Sequence, residues 1–466
     1  MGRMGAVEPG LMEAIFYPRS VAVVGVPRGM KTGRLFLEAL LKPGFAGDVY
    51  PVNPKADEIL GLRAYPSVES IGKPVDLAII VTPPGAAAEV VADCGRAGVR
   101  AAALFTAGFG ELGSEEGDRR ERELVAAAES AGVRLIGPNC MGVYSPSVGL
   151  ASFTDLPMET GDVGFISQSG SLTNFFARES MARGFAVSKA VSVGNQLDLD
   201  AADFLTYLAG DDATRVICMY VEGPPDSRAL FEALRAATQR KPVVLWKSGR
   251  TEGGSRAARS HTGALAGSYA IWQAMIRQTG TIEARTIQEM VDLVVALRMQ
   301  PRPRGDRLGV VTGPGGPSIS AVDAAEEAGL RLATLDASTI EQLAGAISAV
   351  GTSPKNPVDV GLILYGPMDI YGEVTAIAGG DPNVDGAIVL GGSSTGPEGE
   401  AFLSLMRGAR DGFRKPLAQV TLRPPVDAQL AKAYGEVGVG LFPTAERAVQ
   451  AYAGVSAYEA FRAQIS

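Results

Sequence analysis

The fold is decided by the stretch Val163-Gly164-Phe165-Ile166-Ser167-Gln168-Ser169-Gly170-Ser171. Its apolar residues are typical of a buried parallel strand, and its serines and glycine are typical of a turn that opens a helix. The same pattern returns as Leu308-Gly309-Val310-Val311-Thr312-Gly313-Pro314-Gly315-Gly316. The two stretches therefore predict two copies of one parallel α/β unit.

Two more pairs of landmarks recur in the same order and support this internal repeat. Asn195-Gln196-Leu197-Asp198 returns as Asn356-Pro357-Val358-Asp359, and Lys241-Pro242-Val243-Val244 returns as Lys415-Pro416-Leu417-Ala418. The joint between the copies, Pro301-Arg302-Pro303-Arg304-Gly305-Asp306, is rich in proline and arginine. Such a composition indicates a linker.

The residues before the repeat predict a Rossmann-like unit. A buried strand, Ser20–Gly25, enters a turn, and a helical stretch follows at Thr32–Leu41. Further strands are expected at 47–51, 75–81, 101–105 and 133–136, and the succession is expected to end near Tyr144. We therefore predict three α/β domains, at residues 1–145, 146–302 and 303–466.

Composition limits the classes of function. Of the 466 residues, 46% are hydrophobic and 20% are charged, so the chain can bury large cores. The net charge of −8 argues against polyanionic partners such as nucleic acid or an anionic membrane surface. The three cysteines, Cys94, Cys140 and Cys218, are predicted to be buried thiols of a reducing compartment. No apolar run reaches the roughly 18 residues that span a bilayer, so we expect a soluble cytoplasmic protein.

The turn after the first strand is a candidate phosphate site. It carries Gly25 and Gly29, and Lys31 precedes the helix that begins at Thr32. Glycines let a backbone approach a phosphate, and the free N–H groups at a helix start favour an anion. The spacing is not that of GxGxxG, so a purely structural turn remains the alternative.

The ends of the next two strands narrow the choice of ligand. After the second strand come Asn53 and Lys55, where a nicotinamide-binding unit would place a carboxylate for the ribose hydroxyls. A lysine there suits an extra phosphate, such as the 3′-phosphate of coenzyme A or the phosphate of NADP. Thr82 and Pro83 follow the third strand and form a rim at the edge where open α/β sheets bind ligands, unless the proline only terminates the strand.

The chain has a single histidine, His261, so sites that need two histidines from this chain are excluded. It lies in the segment Lys247–Ser268, which is dense in glycine, serine and arginine and follows the apolar strand Val243–Trp246. This setting favours a chemical role over a packing role. A solvent-exposed histidine without a function is the alternative.

Two neighbouring features indicate that His261 takes up a phosphoryl group. Ser169, Gly170 and Ser171 start a helix whose first N–H groups form an anion pocket. Glu222 ends a strand and could accept a hydrogen bond from one imidazole nitrogen, which leaves the other nitrogen nucleophilic. An ordinary exposed Glu222 is the alternative. The second copy of the repeat has neither group, because its matching strand ends in Leu390-Gly391-Gly392-Ser393 and contains no histidine.

These motifs resemble the α subunit of ADP-forming acyl-CoA synthetases, relatives of succinyl-CoA synthetase, from Val21 to about Ala453. The most specific elements are Ser260-His261-Thr262-Gly263, Pro51-Val52-Asn53-Pro54-Lys55, Gly137-Pro138-Asn139-Cys140-Met141-Gly142, Ser167-Gln168-Ser169-Gly170 and Gly194-Asn195-Gln196-Leu197-Asp198. The resemblance implies an α/β fold class: a Rossmann-like CoA-binding domain, a flavodoxin-like ligase domain with a phosphohistidine loop, and a second flavodoxin-like domain that is a non-catalytic copy.

The resemblance also implies roles for individual residues. His261 matches the phosphorylated histidine, Glu222 matches the glutamate that orients it, and Ser169, Gly170 and Ser171 match the helix start that stabilises phosphohistidine. Asn174 falls where the succinate-using relatives place an aromatic hydroxyl, so acetate or another acyl group is at least as good a candidate as succinate. The implied coenzyme A site comprises Gly25, Lys31, Asn53, Lys55, Thr82, Pro83, Thr106, Ala107 and Asn139.

The implied reaction needs a partner. Phosphate attacks an acyl-CoA thioester, His261 accepts the phosphoryl group of the acyl phosphate, and ADP receives it; the reverse direction activates a carboxylic acid. The sequence shows neither an ATP-grasp domain nor a Walker-type loop. We therefore expect the nucleotide and its Mg²⁺ on a separate ATP-grasp β subunit, in a heterotetramer, and no metal site in this chain. The alternatives are a CoA-binding regulatory or scaffold protein without turnover and a Rossmann dehydrogenase, which Lys55 disfavours.

Overall fold

A computed structural model gives the fold of residues 7–8, 10–29, 32–256, 268–313, 315–348, 350–361, 368–423 and 425–465. The chain divides into two units, the first Met1–Arg178 with Ala186–Thr281, and the second Glu179–Phe185 with Ile282–Ser466. Each unit is an α/β structure built on parallel strands.

The strands of the described residues, in chain order, are β1 Ser20–Val24, β2 Asp48–Val52, β3 Glu58–Ile59, β4 Leu62–Arg63, β5 Leu77–Ile80, β6 Ala101–Leu104, β7 Arg134–Ile136, β8 Gly142–Tyr144, β9 Val163–Ser167, β10 Val187–Ser192, β11 Val216–Val221, β12 Val243–Lys247, β13 Ile282–Ala284, β14 Arg307–Thr312, β15 Arg331–Leu332, β16 Val358–Asp359, β17 Gly386–Leu390, β18 Leu417–Val420 and β19 Gly440–Phe442.

The α-helices are Leu11–Phe16, Thr32–Leu41, Ala87–Arg96, Glu115–Ala131, Gly170–Ala182, Ala201–Gly210, Ser227–Arg240, Tyr269–Thr279, Ile287–Arg298, Gly315–Glu327, Ala337–Ala346, Asp369–Gly380, Gly396–Gly412, Ala428–Glu436 and Ala445–Ile465. Short 3₁₀ turns occupy Glu69–Ile71, Pro84–Ala86, Gly110–Leu112 and Pro146–Val148. Aspartates begin several helices. The carboxylate of Asp200 accepts the N–H groups of Ala202 and Asp203 and so caps the helix that starts at Ala201.

The first sheet has the order β2-β1-β5-β6-β7 and is parallel throughout. Its interior strand β1 is buried along its whole length, as its apolar sequence predicts. The predicted helix Thr32–Leu41 is confirmed, and each predicted strand of this unit is confirmed within two residues of its expected ends. The chain order reverses between β1 and β5, so the carboxyl ends of these two strands flank the crevice where such sheets bind ligands.

The second sheet has the order β12-β11-β9-β10-β8 within the first unit. The Rossmann-like succession is expected to end near Tyr144, and the last strand that it contributes to the first sheet is β7. The strand β8 pairs antiparallel with β10, with Val143 opposite Val191, and so belongs to the second sheet. A three-residue apolar strand does not reveal which sheet edge it joins, and the sequence therefore could not assign it.

The third sheet lies in the second unit and has the order β15-β14-β17-β18-β19, with β16 also paired to β14. This order repeats that of β10-β9-β11-β12, so the internal repeat predicted from the sequence is confirmed. The joint between the copies is not a free linker, because Arg302 and Arg304 both form ion pairs with Glu459 of the last helix. The exact domain boundaries expected from the sequence stay a prediction.

The burial of the three cysteines agrees with the sequence prediction. Cys94, Cys140 and Cys218 are free and buried, as predicted. Burial raises the pKa of the Cys94 and Cys140 thiols to about 12, so both stay protonated and unreactive at neutral pH. In the part of the chain that the structure describes, no helix is long and apolar enough to cross a membrane.

Candidate functional site

The crevice between β1 and β5 is built around Gly25, which has a φ of +93°. A Cβ atom at this position would lie 2.8 Å from Cγ2 of Thr82 and 3.1 Å from its backbone nitrogen. Only glycine therefore allows the turn after β1 to run this close to the end of β5. Gly25 is required by the backbone geometry of the crevice.

Thr82 and Thr106 meet at the carboxyl edge of the same sheet. The hydroxyl of Thr106 donates to the carbonyl of Thr82 at 2.6 Å and ties the ends of β5 and β6 together. The hydroxyl oxygen of Thr82 is buried and has no partner among the described residues. Because buried hydroxyls are normally paired, this orphan marks a place for a ligand hydrogen bond. Pro83 follows in an extended conformation and Ala107 is exposed.

Asn53 organises the loop that carries Lys55. Its side-chain amide donates to the carbonyl of Val26 at 2.6 Å, and its Oδ1 accepts the backbone N–H of Lys55 at 2.7 Å. The asparagine thereby joins the turns after β1 and β2, and its polar atoms are used within the protein. Lys55 itself is exposed and free to meet a ligand phosphate. Lys31, also predicted for this site, lies outside the described residues.

Asn139 is hydrogen-bonded within the protein, in part to the motif at residues 194–198. Its backbone N–H donates to the carbonyl of Thr106 at 2.9 Å, and its amide donates to Oδ1 of Asn195 at 3.4 Å. Asn195 in turn donates to Oε2 of Glu111 at 2.6 Å. A Cβ atom at Gly194 would lie 2.2 Å from the carbonyl oxygen of Pro138. The two motifs at 137–142 and 194–198 thus pack directly on each other and dock the first two sheets.

The predicted phosphate pocket lies at the start of the helix Gly170–Ala182. The hydroxyl of Ser169 accepts the N–H of Leu172 at 3.4 Å and lies 3.1 Å from the hydroxyl of Ser171. A Cβ atom at Gly170 would lie 2.2 Å from Cγ of Met141, so the turn is packed tightly against its neighbour. Two hydroxyls and a helix N-terminus therefore converge at the carboxyl end of β9.

Glu222 is buried, with 4% of its surface exposed, and is not the ordinary exposed glutamate considered from the sequence. Its Oε1 accepts the hydroxyl of Tyr220 at 3.2 Å, while its Oε2 is buried without a partner among the described residues. Burial, and secondarily the charge of Glu222, raises the pKa of Tyr220 to about 12, so the phenol stays a donor. One carboxylate oxygen of Glu222 is therefore open to a further donor.

Gln168 places Glu222 beside the phosphate pocket. Its Oε1 accepts the backbone N–H groups of Glu222 and Gly223, the latter at 2.9 Å. Gln168 directly precedes Ser169, so one side chain couples the ends of β9 and β11 at the point where the strand order of the second sheet reverses. His261 lies outside the described residues, and its role remains a prediction.

Two further buried groups line this end of the sheet. Asn174 is 6% exposed, and its Oδ1 has no partner among the described residues. Lys247, which sequence reasoning did not single out, is 2% exposed and ends β12. Burial lowers its pKa to about 8, although the charge of Glu222 acts in the opposite direction. A lysine closing an otherwise apolar strand was the signal that could have revealed it.

No metal centre emerges from these groups: the ranges that the structure describes contain no cluster of three or more histidine, cysteine or acidic side chains able to hold a metal ion. Two family models match the chain. A CoA binding domain matches residues 19–146, and a succinyl-CoA ligase like flavodoxin domain matches residues 160–297.

Relatives extend the match to nearly the whole chain. The α subunit of ADP-forming acetate–CoA ligase I from Pyrococcus furiosus is 35% identical over 460 residues, which cover 97% of this chain and 99% of that protein. The α subunit of isoform II from the same organism is 40% identical over 380 residues, or 82% of each chain. ADP-forming acetate–CoA ligase I from Archaeoglobus fulgidus is 41% identical over 80% of this chain, but the match spans only 54% of that protein.

A solved structure has the same fold. It is a dinucleotide-forming acetyl-coenzyme A synthetase 1 from Ca. Korarchaeum cryptofilum, in complex with phosphate and ADP. Its chain superposes with a TM-score of 0.85 at 34% identity, covering 97% of this chain and 98% of that one. The architecture of both units is therefore shared with that protein, and the predicted fold class is confirmed.

Proposed function

This chain belongs to the family of ADP-forming acetate–CoA ligase α subunits, and from that premise we propose how its residues carry out the reaction. Its function is that of an NDP-forming acyl-CoA synthetase, an acid–thiol ligase that interconverts acyl-CoA, ADP and phosphate with a carboxylic acid, CoA and ATP. The alternative of a CoA-binding scaffold without turnover receives no support from these relatives.

The proposed chemistry has three steps. A phosphate oxygen attacks the thioester carbonyl, the C–S bond breaks, and an acyl phosphate and the CoA thiolate result. One nitrogen of His261 then attacks phosphorus, and the P–O bond to the acyl group breaks to release the carboxylate. Finally, a β-phosphate oxygen of ADP attacks the phosphohistidine, the P–N bond breaks, and ATP leaves.

The observation that carries this proposal is the open oxygen of buried Glu222 beside Ser169. A carboxylate that accepts the N–H of one imidazole nitrogen fixes the tautomer and leaves the other nitrogen free to attack. Ser169, Gly170 and Ser171 are proposed to bind the phosphoryl oxygens at the helix start, where N–H groups and the helix dipole favour an anion.

The remaining ligands are assigned by chemistry. We propose that coenzyme A lies along the crevice of Gly25 and Thr82, with Lys55 on a phosphate. Asn174 is proposed to meet the acyl group, which is acetate or another small acid. Mg²⁺ and ADP or ATP are proposed to bind a separate ATP-grasp β subunit, in a heterotetramer with this chain.

Phosphohistidine formation tests the proposal directly. The chain co-purified with its partner, incubated with [γ-³²P]ATP and Mg²⁺, is expected to acquire an acid-labile, base-stable label. His261→Ala should abolish that label without changing the melting temperature of the complex. A label that persists in this variant would overturn the assignment of His261.

A further inference from the structure

Tyr220 is a half-buried tyrosine of β11 to which the proposed reaction assigns no role. Its hydroxyl donates to Oε1 of Glu222 at 3.2 Å, and among the described residues it is the only donor to this carboxylate. The other oxygen, Oε2, is buried and has no partner among those residues. The two oxygens of the carboxylate are therefore in different situations, and the tyrosine makes the difference.

A glutamate carboxylate needs such a donor to keep one orientation. Its last side-chain torsion is broad and roughly two-fold, so rotamer preference alone does not fix where each oxygen points. Glu222 is buried, and water therefore does not compete well for its oxygens. Because hydrogen bonds to an ionised group are stronger than those between neutral groups, the phenol selects one orientation of the carboxylate.

The phenol itself is fixed in place. Its ring packs edge to face on Trp246, with the ring centres 4.8 Å apart and the ring planes at 75°. The backbone carbonyl of Tyr220 accepts the N–H of Gln168 at 3.1 Å, and the residue pairs in register with Ser167 of β9. Burial raises the pKa of Tyr220 to about 12, so the hydroxyl keeps its proton at neutral pH. The tyrosine is thus a rigid donor at the end of β11.

The internal repeat separates this tyrosine from a residue that the strand needs in order to form. When β11 with β12 and β17 with β18 are aligned by their registers, Tyr220 corresponds to Leu390 and Glu222 corresponds to Gly392. The copy without the carboxylate therefore also lacks the hydroxyl. Because the strand forms with either residue, the hydroxyl goes with the glutamate and not with the fold.

A second tyrosine–glutamate pair in the first unit provides a comparison. The hydroxyl of Tyr207 donates to Oε1 of Glu13 at 3.0 Å, and its ring stacks on Phe16 with the ring centres 5.3 Å apart. Glu13 is exposed, so water can take the place of that hydroxyl. At the buried Glu222 the tyrosine cannot be replaced in this way.

We infer that Tyr220 is a positioning residue for Glu222: its hydroxyl holds Oε1, so that Oε2 stays available to the N–H of His261. This role depends on the proposed phosphohistidine function. A carboxylate that turned freely would leave the imidazole ring without a fixed orientation, and its nucleophilic nitrogen would be in place to attack phosphorus less often. Loss of the hydroxyl should therefore slow phosphoryl transfer and leave ATP binding unchanged.

The test uses the complex with the partner subunit and measures ³²P labelling from [γ-³²P]ATP in a single turnover, over a range of ATP concentrations. Tyr220→Phe removes only the hydroxyl and keeps the ring on Trp246. It is expected to lower the maximal labelling rate about tenfold, and the ATP concentration that gives half of that rate should not change. Tyr220→Leu, which introduces the residue of the other copy, should label as slowly as Tyr220→Phe.

Tyr207→Phe is the matched control, because it removes the same kind of hydrogen bond from an exposed glutamate. It should label at the wild-type rate, and a loss as large as that of Tyr220→Phe would count against a specific role for Tyr220. Melting temperatures show which variants are folded. A folded Tyr220→Phe or Tyr220→Leu complex that labels at the wild-type rate overturns the inference, whereas a wild-type complex that never labels overturns the proposed function instead.

A double variant shows whether Tyr220 acts through Glu222. Glu222→Ala with Tyr220→Phe should label at the same rate as Glu222→Ala alone, because the hydroxyl then has no carboxylate to hold. A further loss of rate in the folded double variant would show that the hydroxyl acts elsewhere, and the inference would be wrong.

Discussion

The side chain of Gln168 binds the backbone of Glu222: its Oε1 accepts the N–H groups of Glu222 and of the following Gly223. The amide is itself buried, and it directly precedes the serine and glycine turn of the phosphate pocket. The distance between the pocket and the carboxylate is therefore fixed by one side chain. This geometry makes the two halves of the site dependent on each other.

Gln168→Leu should damage both stability and phosphorylation. The leucine leaves two buried N–H groups without an acceptor, which costs on the order of 2 kcal/mol. We expect a lower melting temperature and a slower rate of ³²P labelling. Gln239→Leu, at an exposed position on the helix Ser227–Arg240, is the matched control and should change neither. Equal labelling rates in the two variants would show that Gln168 does not position the glutamate.

The parts of this site that lie within one segment of sequence could be predicted. The links between neighbouring strands could not, because they depend on the order and register of the strands. The turn at Ser169 and the strand end at Glu222 each have a recognisable pattern. The link made by Gln168 depends on β9 and β11 being neighbours, which is a property of the strand order. Likewise, Lys247 is visible in the sequence, but only the register of β11 and β12 shows that it lies beside Val221.

In the first unit, the sequence motifs could be recognised, but the contacts that their residues make could not. The segments at 137–142 and 194–198 were recognised as specific, and Asn139 was predicted to bind coenzyme A. The structure engages Asn139 with Asn195 and Thr106, so those motifs also serve to dock one sheet on another. Residue type and spacing cannot distinguish a ligand contact from a packing contact when both need a polar side chain and a tight turn.

Gly25→Ala should weaken coenzyme A binding selectively. The new methyl group would meet Thr82 at 2.8 Å, and the φ of +93° is unfavourable for alanine, at a cost of about 1–3 kcal/mol. We expect the Kd for coenzyme A, measured by isothermal titration calorimetry, to rise about tenfold or more. Gly29→Ala is the control in the same turn, since a Cβ atom there meets nothing within 4 Å. Similar losses in both variants would contradict a specific role for the crevice.

Lys55→Met should reveal which phosphate the lysine contacts. If Lys55 meets the 3′-phosphate, the variant should bind coenzyme A about tenfold more weakly, the loss of one charge-assisted contact. Its affinity for 3′-dephospho-coenzyme A should equal that of wild type. Lys73→Met carries the same change of charge at an exposed position that precedes β5, on the opposite edge of the sheet. Parallel losses for both ligands would place Lys55 elsewhere on the coenzyme.

Arg134→Met tests the ion pair that docks the first two sheets. The guanidinium contacts Asp198 at 2.8 Å, and the same carboxylate accepts the N–H of Leu135, also at 2.8 Å. The side chain of Asp198 is fully buried, so removing the arginine leaves a carboxylate without its cation. Breaking such a pair costs about 3–5 kcal/mol, which urea unfolding should detect as a lower midpoint with an unchanged slope.

The exposed pair of Arg119 and Glu116 is the matched control for that experiment. Its guanidinium also lies 2.8 Å from a carboxylate oxygen, but both side chains are about half exposed, so Arg119→Met should leave the unfolding midpoint unchanged. Adding Asp198→Asn to Arg134→Met should recover part of the loss, because the amide needs no cation and can still accept the Leu135 N–H. If Arg134→Met unfolded at the same midpoint as Arg119→Met, the docking of the sheets would have to rest on the asparagine contacts and the close approach of Gly194 to Pro138.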